Sequence, residues 1–164
     1  RLLLLTIDGG AAVRRIRDLL ARTGIDPKRL DILPRMTHEA FLTAHQRADI
    51  ALDAFPYHGT TTTCFSLWMG LPVVVLEGAT HVSRVGVSML SNVGLPQLIA
   101  CNGDEYVEIA TRLTADLPAL AKMRAELRGM MLRSPITNGR RCARNLENAF
   151  REMWTAWCRK AERH

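Results

Sequence analysis

The sequence predicts an α/β fold: a parallel sheet with helices on both faces, followed by a run of helices alone. Three observations carry this. Short apolar runs at 2–7, 30–33, 50–53, 72–76 and 98–100 alternate with stretches of helical period, the order of a parallel sheet covered on both sides. Gly24, Gly70 and Gly94 each stand where a helix should stop before the next strand. Beyond residue 103 no further strand pattern is found, and only helical periods continue.

Taken in order, 2–7 reads as a strand buried on both sides. Over 11–23, Val13, Ile16, Leu19 and Leu20 form one apolar stripe of a helix. Asp26-Pro27 turns the chain into the strand at 30–33, and Thr37 is placed to cap a helix over 38–46. The stretch 49–76 organises the rest: strand, irregular loop, helix, turn, strand. Pro56 lacks a donor and restricts Phe55, while Gly59 permits positive φ, so the strand cannot run on through 55–59. Four threonines, Thr60 to Thr63, lead into a helix closed by Gly70 with Pro72 beyond. Another helix spans 82–93. Two more follow over 104–116 and from Pro118 to about 132, with loops marked by Ser134-Pro135 and Asn138-Gly139. The closing helix carries Cys142, Leu146, Phe150, Met153, Trp154, Trp157 and Cys158 at spacings of three, four and seven. Such a stripe predicts a face packed against the domain. The expected organisation is a sheet core over 1–103 with the helices of 104–164 packing on it.

With 164 residues, 48% hydrophobic and 23% charged, the chain has the composition of an ordinary globular domain with room for one sizeable core. No apolar run approaches the ~20 residues of a membrane span. The leucine-rich start is too short for a signal peptide and runs straight into Asp8-Gly9-Gly10; opening on Arg1, it reads as a piece of a longer chain entered at a strand. The net charge of +6 resides mainly in arginines spread over the first and last helices, with 5% aromatics and no nucleic-acid motif. Solvated helix faces account for it, and neither nucleic acid nor membrane is expected as a partner. Cys64, Cys101, Cys142 and Cys158 lack Cys-x-x-Cys spacing. They read as structural thiols of a reducing, cytoplasmic compartment, and no metal site is expected.

A glycine followed by hydroxyl residues at a helix start offers backbone N–H groups, hydroxyls and the positive end of the helix dipole, a setting suited to phosphate. Capping of the helix is the other reading of the threonines. No lysine follows the glycine at P-loop spacing. Ligands of open parallel sheets sit beyond the carboxyl ends of the strands, which puts the loops at 8–10, 34–37, 53–63 and 77–84 on one rim. His58 is either an ordinary loop histidine or a contact to an anion beside Gly59. Arg84 either reaches a phosphate or pairs with Glu77. His38 and His45 are not at metal-ligand spacing.

The segment Asp53-Ala-Phe-Pro-Tyr-His-Gly-Thr-Thr-Thr-Thr-Cys-Phe-Ser-Leu-Trp-Met-Gly-Leu-Pro-Val-Val resembles the family that contains O-GlcNAc transferase and SPINDLY. So does His81-Val-Ser-Arg-Val-Gly-Val-Ser-Met-Leu. Asn102-Gly-Asp-Glu-Tyr-Val, Leu120-Ala-Lys-Met-Arg, Ser134-Pro-Ile-Thr-Asn-Gly and Met153-Trp154 follow the same family in order. The resemblance covers nearly the whole chain and is closer to SPINDLY-like and bacterial TPR-linked members. It implies the Rossmann-like, donor-binding C-terminal lobe of a two-lobed GT-B glycosyltransferase, preceded by TPR repeats and an N-terminal catalytic lobe. Members pass a sugar from a nucleoside diphosphate, UDP-GlcNAc or GDP-fucose, to Ser or Thr of proteins, with inversion and without a metal or other cofactor. The absence of an Asp-x-Asp pair agrees. By the resemblance, Thr61 and Thr62 hold the diphosphate with Gly59 and Thr60 beside them, and Arg35-Met36-Thr37-His38 lies along the base. The family's essential lysine and acceptor-side residues belong upstream, so no catalytic residue is expected here.

Two departures stand out. The family's ribose-binding Glu or Asp after Cys64 is Phe65, whose ring cannot accept a hydrogen bond. Losing such an acceptor costs about 1.5–3 kcal/mol, one to two decades in affinity. The base-side histidine position is Phe41, and the nearby lysine position is His38. The alternative implied is a degenerate, non-catalytic nucleotide-binding or protein-interaction module of the same fold.

Overall fold

Between Asp49 and Ile50 the computed structural model of the chain, which describes residues 1–5 and 9–161, divides into two units. In the first, β1 (Leu2–Leu4) pairs in parallel with β2 (Leu30–Ile32), Leu2 opposite Leu30 and Leu4 opposite Ile32. α1 (Gly10–Arg22) joins them and α2 (His38–Ala44) follows. Gly24, at φ 77°, takes the left-handed turn that ends α1 and donates its N–H to Ala21 O at 3.0 Å. Thr37 caps α2, its hydroxyl accepting from Ala40 N–H at 3.3 Å. The expected burial of β1 on both sides does not hold: Leu2 is exposed and Leu3 and Leu4 are only partly covered. α1 buries no residue fully, and Leu19 of its stripe faces solvent. A two-stranded ribbon has too little apolar face to bury a helix upon it. Thr6, Ile7 and Asp8, the rest of the expected strand and part of its loop, lie outside the described residues.

The second unit is built on β3 (Ala51–Leu52), β4 (Val73–Leu76) and β5 (Ile99–Ala100), all parallel, with β4 central. Ala51 stands opposite Val73 and Val75 opposite Ile99. Among the described residues the strands pair within each unit, two in the first and three in the second. Val73, Val74 and Val75 are buried on both faces, as a continuous β-branched run in a parallel sheet requires. α3 (Thr61–Trp68) crosses from β3 to β4, and α4 (Val85–Val93) crosses from β4 to β5. α5 (Gly103–Ala115) packs along β4 and β5, and α6 (Leu117–Arg133) lies against α3, α4 and α5. Leu67, Leu90, Leu98, Ile109, Leu127 and Met131 meet the central strand in one core. Gly70, at φ 77°, lets α6 come close: a Cβ there would lie 2.9 Å from Arg124 O.

α7 (Gly139–Ala161) is capped by Asn138, whose side chain accepts from Arg141 N–H at 3.0 Å, and meets the turn Pro135–Thr137. The expected packing of its stripe is corrected here. Leu146, Phe150, Met153, Trp154 (64% exposed) and Trp157 (61%) face solvent, and the two indoles stack on each other at 5.3 Å. Its 23 residues span about 35 Å, so the helix carries its stripe beyond the turn that anchors it. None of the described helices is long and apolar enough to cross a membrane.

Candidate functional site

The site grows from the carboxyl end of β3. Asp53 continues the ladder by donating its N–H to Val74 O at 2.9 Å, and there the strand stops. Its carboxylate folds the following loop back on itself: Oδ1 accepts from the N–H groups of Ala54 (3.0 Å) and Gly59 (2.9 Å), and Oδ2 from the Thr63 hydroxyl at 3.4 Å. Tyr106 of α5 donates its hydroxyl to the Asp53 carbonyl at 2.9 Å. Burial, and then the charge of Asp53, push the Tyr106 phenol up to about 12. Gly59 does not use the positive φ that glycine permits, but its missing side chain leaves room for the threonine hydroxyls. A Cβ there would collide with the Thr62 hydroxyl and lie 2.8 Å from that of Thr63.

Above this loop α3 begins. Thr60 is its cap residue but makes no side-chain cap bond, and Thr60, Thr61 and Thr62 are exposed. Thr63 is turned inward, its hydroxyl 3.0 Å from Gly59 O. The helix therefore presents first-turn N–H groups without a side-chain cap, together with three exposed hydroxyl residues, at the end of a parallel strand. The Gly59 N–H is not among the groups offered outward, because Asp53 holds it.

The neighbouring loop, 77–84, is held by a capping box between Thr80 and Ser83. It joins the first loop where His58 N–H donates to Val82 O at 3.0 Å. Arg84 is bound to the Glu77 carboxylate and donates to Gly78 O at 3.2 Å, so of its two readings the ion pair is the one found. His58 is not a loop histidine open to a ligand. It is 1% exposed, and both ring nitrogens are engaged by backbone: Nε2–H donates to Leu76 O at 2.9 Å and Nδ1 accepts from Gly86 N–H at 3.2 Å.

Phe65 stands one turn below Thr61 and Thr62 on the same helix face and is partly buried. Ser66 offers no outward hydrogen-bonding group, since it is buried and donates back to Thr62 O at 3.0 Å. In the first unit, Met36 is partly buried, Thr37 is the cap of α2 and His38 is its exposed first residue. Phe41 lies edge-on to buried His45 at 4.7 Å, and its carbonyl is 2.8 Å from His45 Nδ1.

Four free thiols are present, and Cys101 and Cys142 are exposed rather than packed among apolar neighbours. Burial raises the Cys64 thiol and Glu105 raises that of Cys101, so neither is activated as a nucleophile. Among the described residues no three His, Cys, Asp or Glu side chains gather as a metal site. Asp53 and Tyr106 are the site residues that sequence reasoning missed. Their signal was present only as membership of the family segments at 53–74 and 102–107.

Parallel strands flanked by helices, with an open helix start at the end of one strand, form an α/β domain of the kind found as the C-terminal lobe of GT-B glycosyltransferases. The family is glycosyltransferase family 41, to which the chain belongs: the model "Glycosyl transferase family 41" matches residues 2–146. The chain is 44% identical over 146 residues to the probable UDP-N-acetylglucosamine–peptide N-acetylglucosaminyltransferase SPINDLY of Solanum lycopersicum, covering 88% of this chain and 16% of that protein. It is 47% identical over 141 residues to the protein of the same name from Oryza sativa subsp. japonica, covering 85% and 15%. A solved Thermobaculum terrenum O-GlcNAc transferase mutant superposes with a TM-score of 0.92 at 35% identity, over 98% of this chain and 31% of that one. The chain thus spans about one sixth of the length of the curated relatives it matches.

Proposed function

We propose that the chain is the sugar-donor lobe of an inverting, metal-independent protein O-glycosyltransferase that takes UDP-GlcNAc or GDP-fucose and glycosylates Ser or Thr. The observation that carries this is the start of α3, uncapped by Thr60, with Thr60, Thr61 and Thr62 exposed above a glycine anchored by Asp53. When the bond from sugar to diphosphate breaks, negative charge grows on the leaving phosphate oxygen. Fixed N–H and hydroxyl donors at a helix start stabilise that charge without reorganising, the role a metal fills elsewhere. Attack by a protein hydroxyl on the opposite face of the sugar inverts the anomeric carbon. The catalytic groups for that step belong to an N-terminal lobe, which with TPR repeats is the proposed partner of this one. The exposed stripe of α7 fits a surface that such a lobe covers. The names of the relatives support a UDP-linked donor, and the threonines are compatible with either nucleotide.

Calorimetric titration of the chain with UDP and GDP tests the reading. Micromolar binding of one of them is expected, and Thr61→Ala with Thr62→Ala should weaken it at least tenfold. Silence with both nucleotides in wild type, and also after Phe65→Glu, would remove the phosphate site. A second reading, a lobe that has kept its fold and lost turnover, is favoured by one observation: Phe65 lies on the face below the threonines, the position to which the family resemblance assigns a ribose acceptor. Silence in wild type with recovery in Phe65→Glu would establish it.

A further inference from the structure

His58 has no ring atom open to a ligand, yet it is among the largest fully buried side chains of the second unit. Its ring bridges the end of β4 and the start of α4, donating from Nε2 to Leu76 O and accepting at Nδ1 from Gly86 N–H. This pattern requires the neutral imidazole with its proton on Nε2. Gly86 makes the bridge possible. A Cβ there would lie 2.9 Å from Val75 Cγ2 and 3.1 Å from Asp53 Oδ2, so only glycine lets α4 approach closely enough to present its N–H. The backbone N–H of His58 is bound to Val82 O, and that of the next residue, Gly59, to Asp53 Oδ1. Two consecutive residues at the foot of α3 are thus fastened to β3, β4, the 77–84 loop and α4 at once.

We infer that His58 is a positioning residue for nucleoside diphosphate at the start of α3, acting through Gly59 and the loop it pins rather than by touching the ligand. The inference rests on the proposed phosphate site. With the imidazole in place, the 53–60 and 77–84 loops are one body, and Thr60 to Thr62 stand at a set height above the sheet. Without it, a buried carbonyl and a buried N–H lose their partners and the loop is free to shift.

The chemistry of the two nitrogens separates the bonds. A glutamine amide nitrogen reaches the Nε2 position and restores donation to Leu76 O, whereas an asparagine oxygen takes the Nδ1 position and restores acceptance from Gly86 N–H. The test is the affinity of wild type, His58→Gln, His58→Asn and His58→Ala for UDP and GDP and for UMP and GMP, with urea midpoints measured alongside. For the nucleotide that wild type binds, His58→Ala should lose about tenfold or more in affinity for the diphosphate and most of its preference over the monophosphate. His58→Gln and His58→Asn, keeping one bond each, should fall between. Purely structural damage would lower the urea midpoint and weaken both nucleotides by the same factor, and that result overturns the inference. So does an undiminished diphosphate preference in all three variants, which leaves the phosphate site itself standing. Absence of nucleotide binding in wild type and in Phe65→Glu overturns both.

Discussion

Phe65 places an aromatic ring on the helix face that carries the exposed threonines. It stands a helical turn below Thr61 and Thr62, where under the proposed function a ribose would lie. Phe65→Glu is expected to tighten nucleoside diphosphate binding by one to two decades, read by calorimetry; an unchanged affinity would remove ribose recognition from this position. Gly59→Ala should do the reverse, because its methyl enters the space of two threonine hydroxyls. Binding should fall at least tenfold, with far-UV circular dichroism preserved. Tyr106 gives a stability signature instead. Its phenol is raised from an ordinary 10.0 to about 12, so between those values the folded chain holds a proton that the unfolded chain has released. Stability is full below pH 10 and declines as pH rises toward 12. The ring is only half buried, so solvent moderates the effect, and Tyr106→Phe should flatten that part of the urea-midpoint profile.

At the scale of elements, α3 is held at both ends. Asp53 fixes the loop at its foot, and Arg128 of α6 closes its other end, donating Nε–H to Trp68 O at 3.2 Å with the guanidinium 4.8 Å from the indole centroid. Arg128→Ala should cost about 1–2 kcal/mol in urea denaturation, and Arg128→Lys should recover little of it, because an ammonium cannot stack and bond in the same geometry. The helix boundaries were legible in the sequence because the chemistry is local. Gly24 and Gly94 take left-handed φ where the helices α1 and α4 end, and Thr37 caps α2 from its own side chain. The roles of Asp53, His58 and Arg128 were not legible, since each acts on partners that the fold alone brings near: His58 and Gly86 are 28 positions apart, and Arg128 and Trp68 are 60. The exposure of the α7 stripe was hidden for a related reason. Periodicity reports that a face is apolar, but not what stands opposite it.

For the whole molecule, two of the three tryptophans sit on that exposed stripe, and the third, Trp68, is partly buried under Arg128. The isolated chain should therefore emit with the red-shifted fluorescence of hydrated indoles. Addition of the proposed N-terminal lobe should move the emission to the blue if α7 is where it docks; emission that stays unshifted while the lobes co-elute would place the contact elsewhere. Asp53 carries a last consequence. A carboxylate within hydrogen-bond reach of the glycine beneath the threonines opposes the charge that the helix start attracts. The side chain that fixes the shape of the loop thus also limits how strongly that helix start can hold an anion.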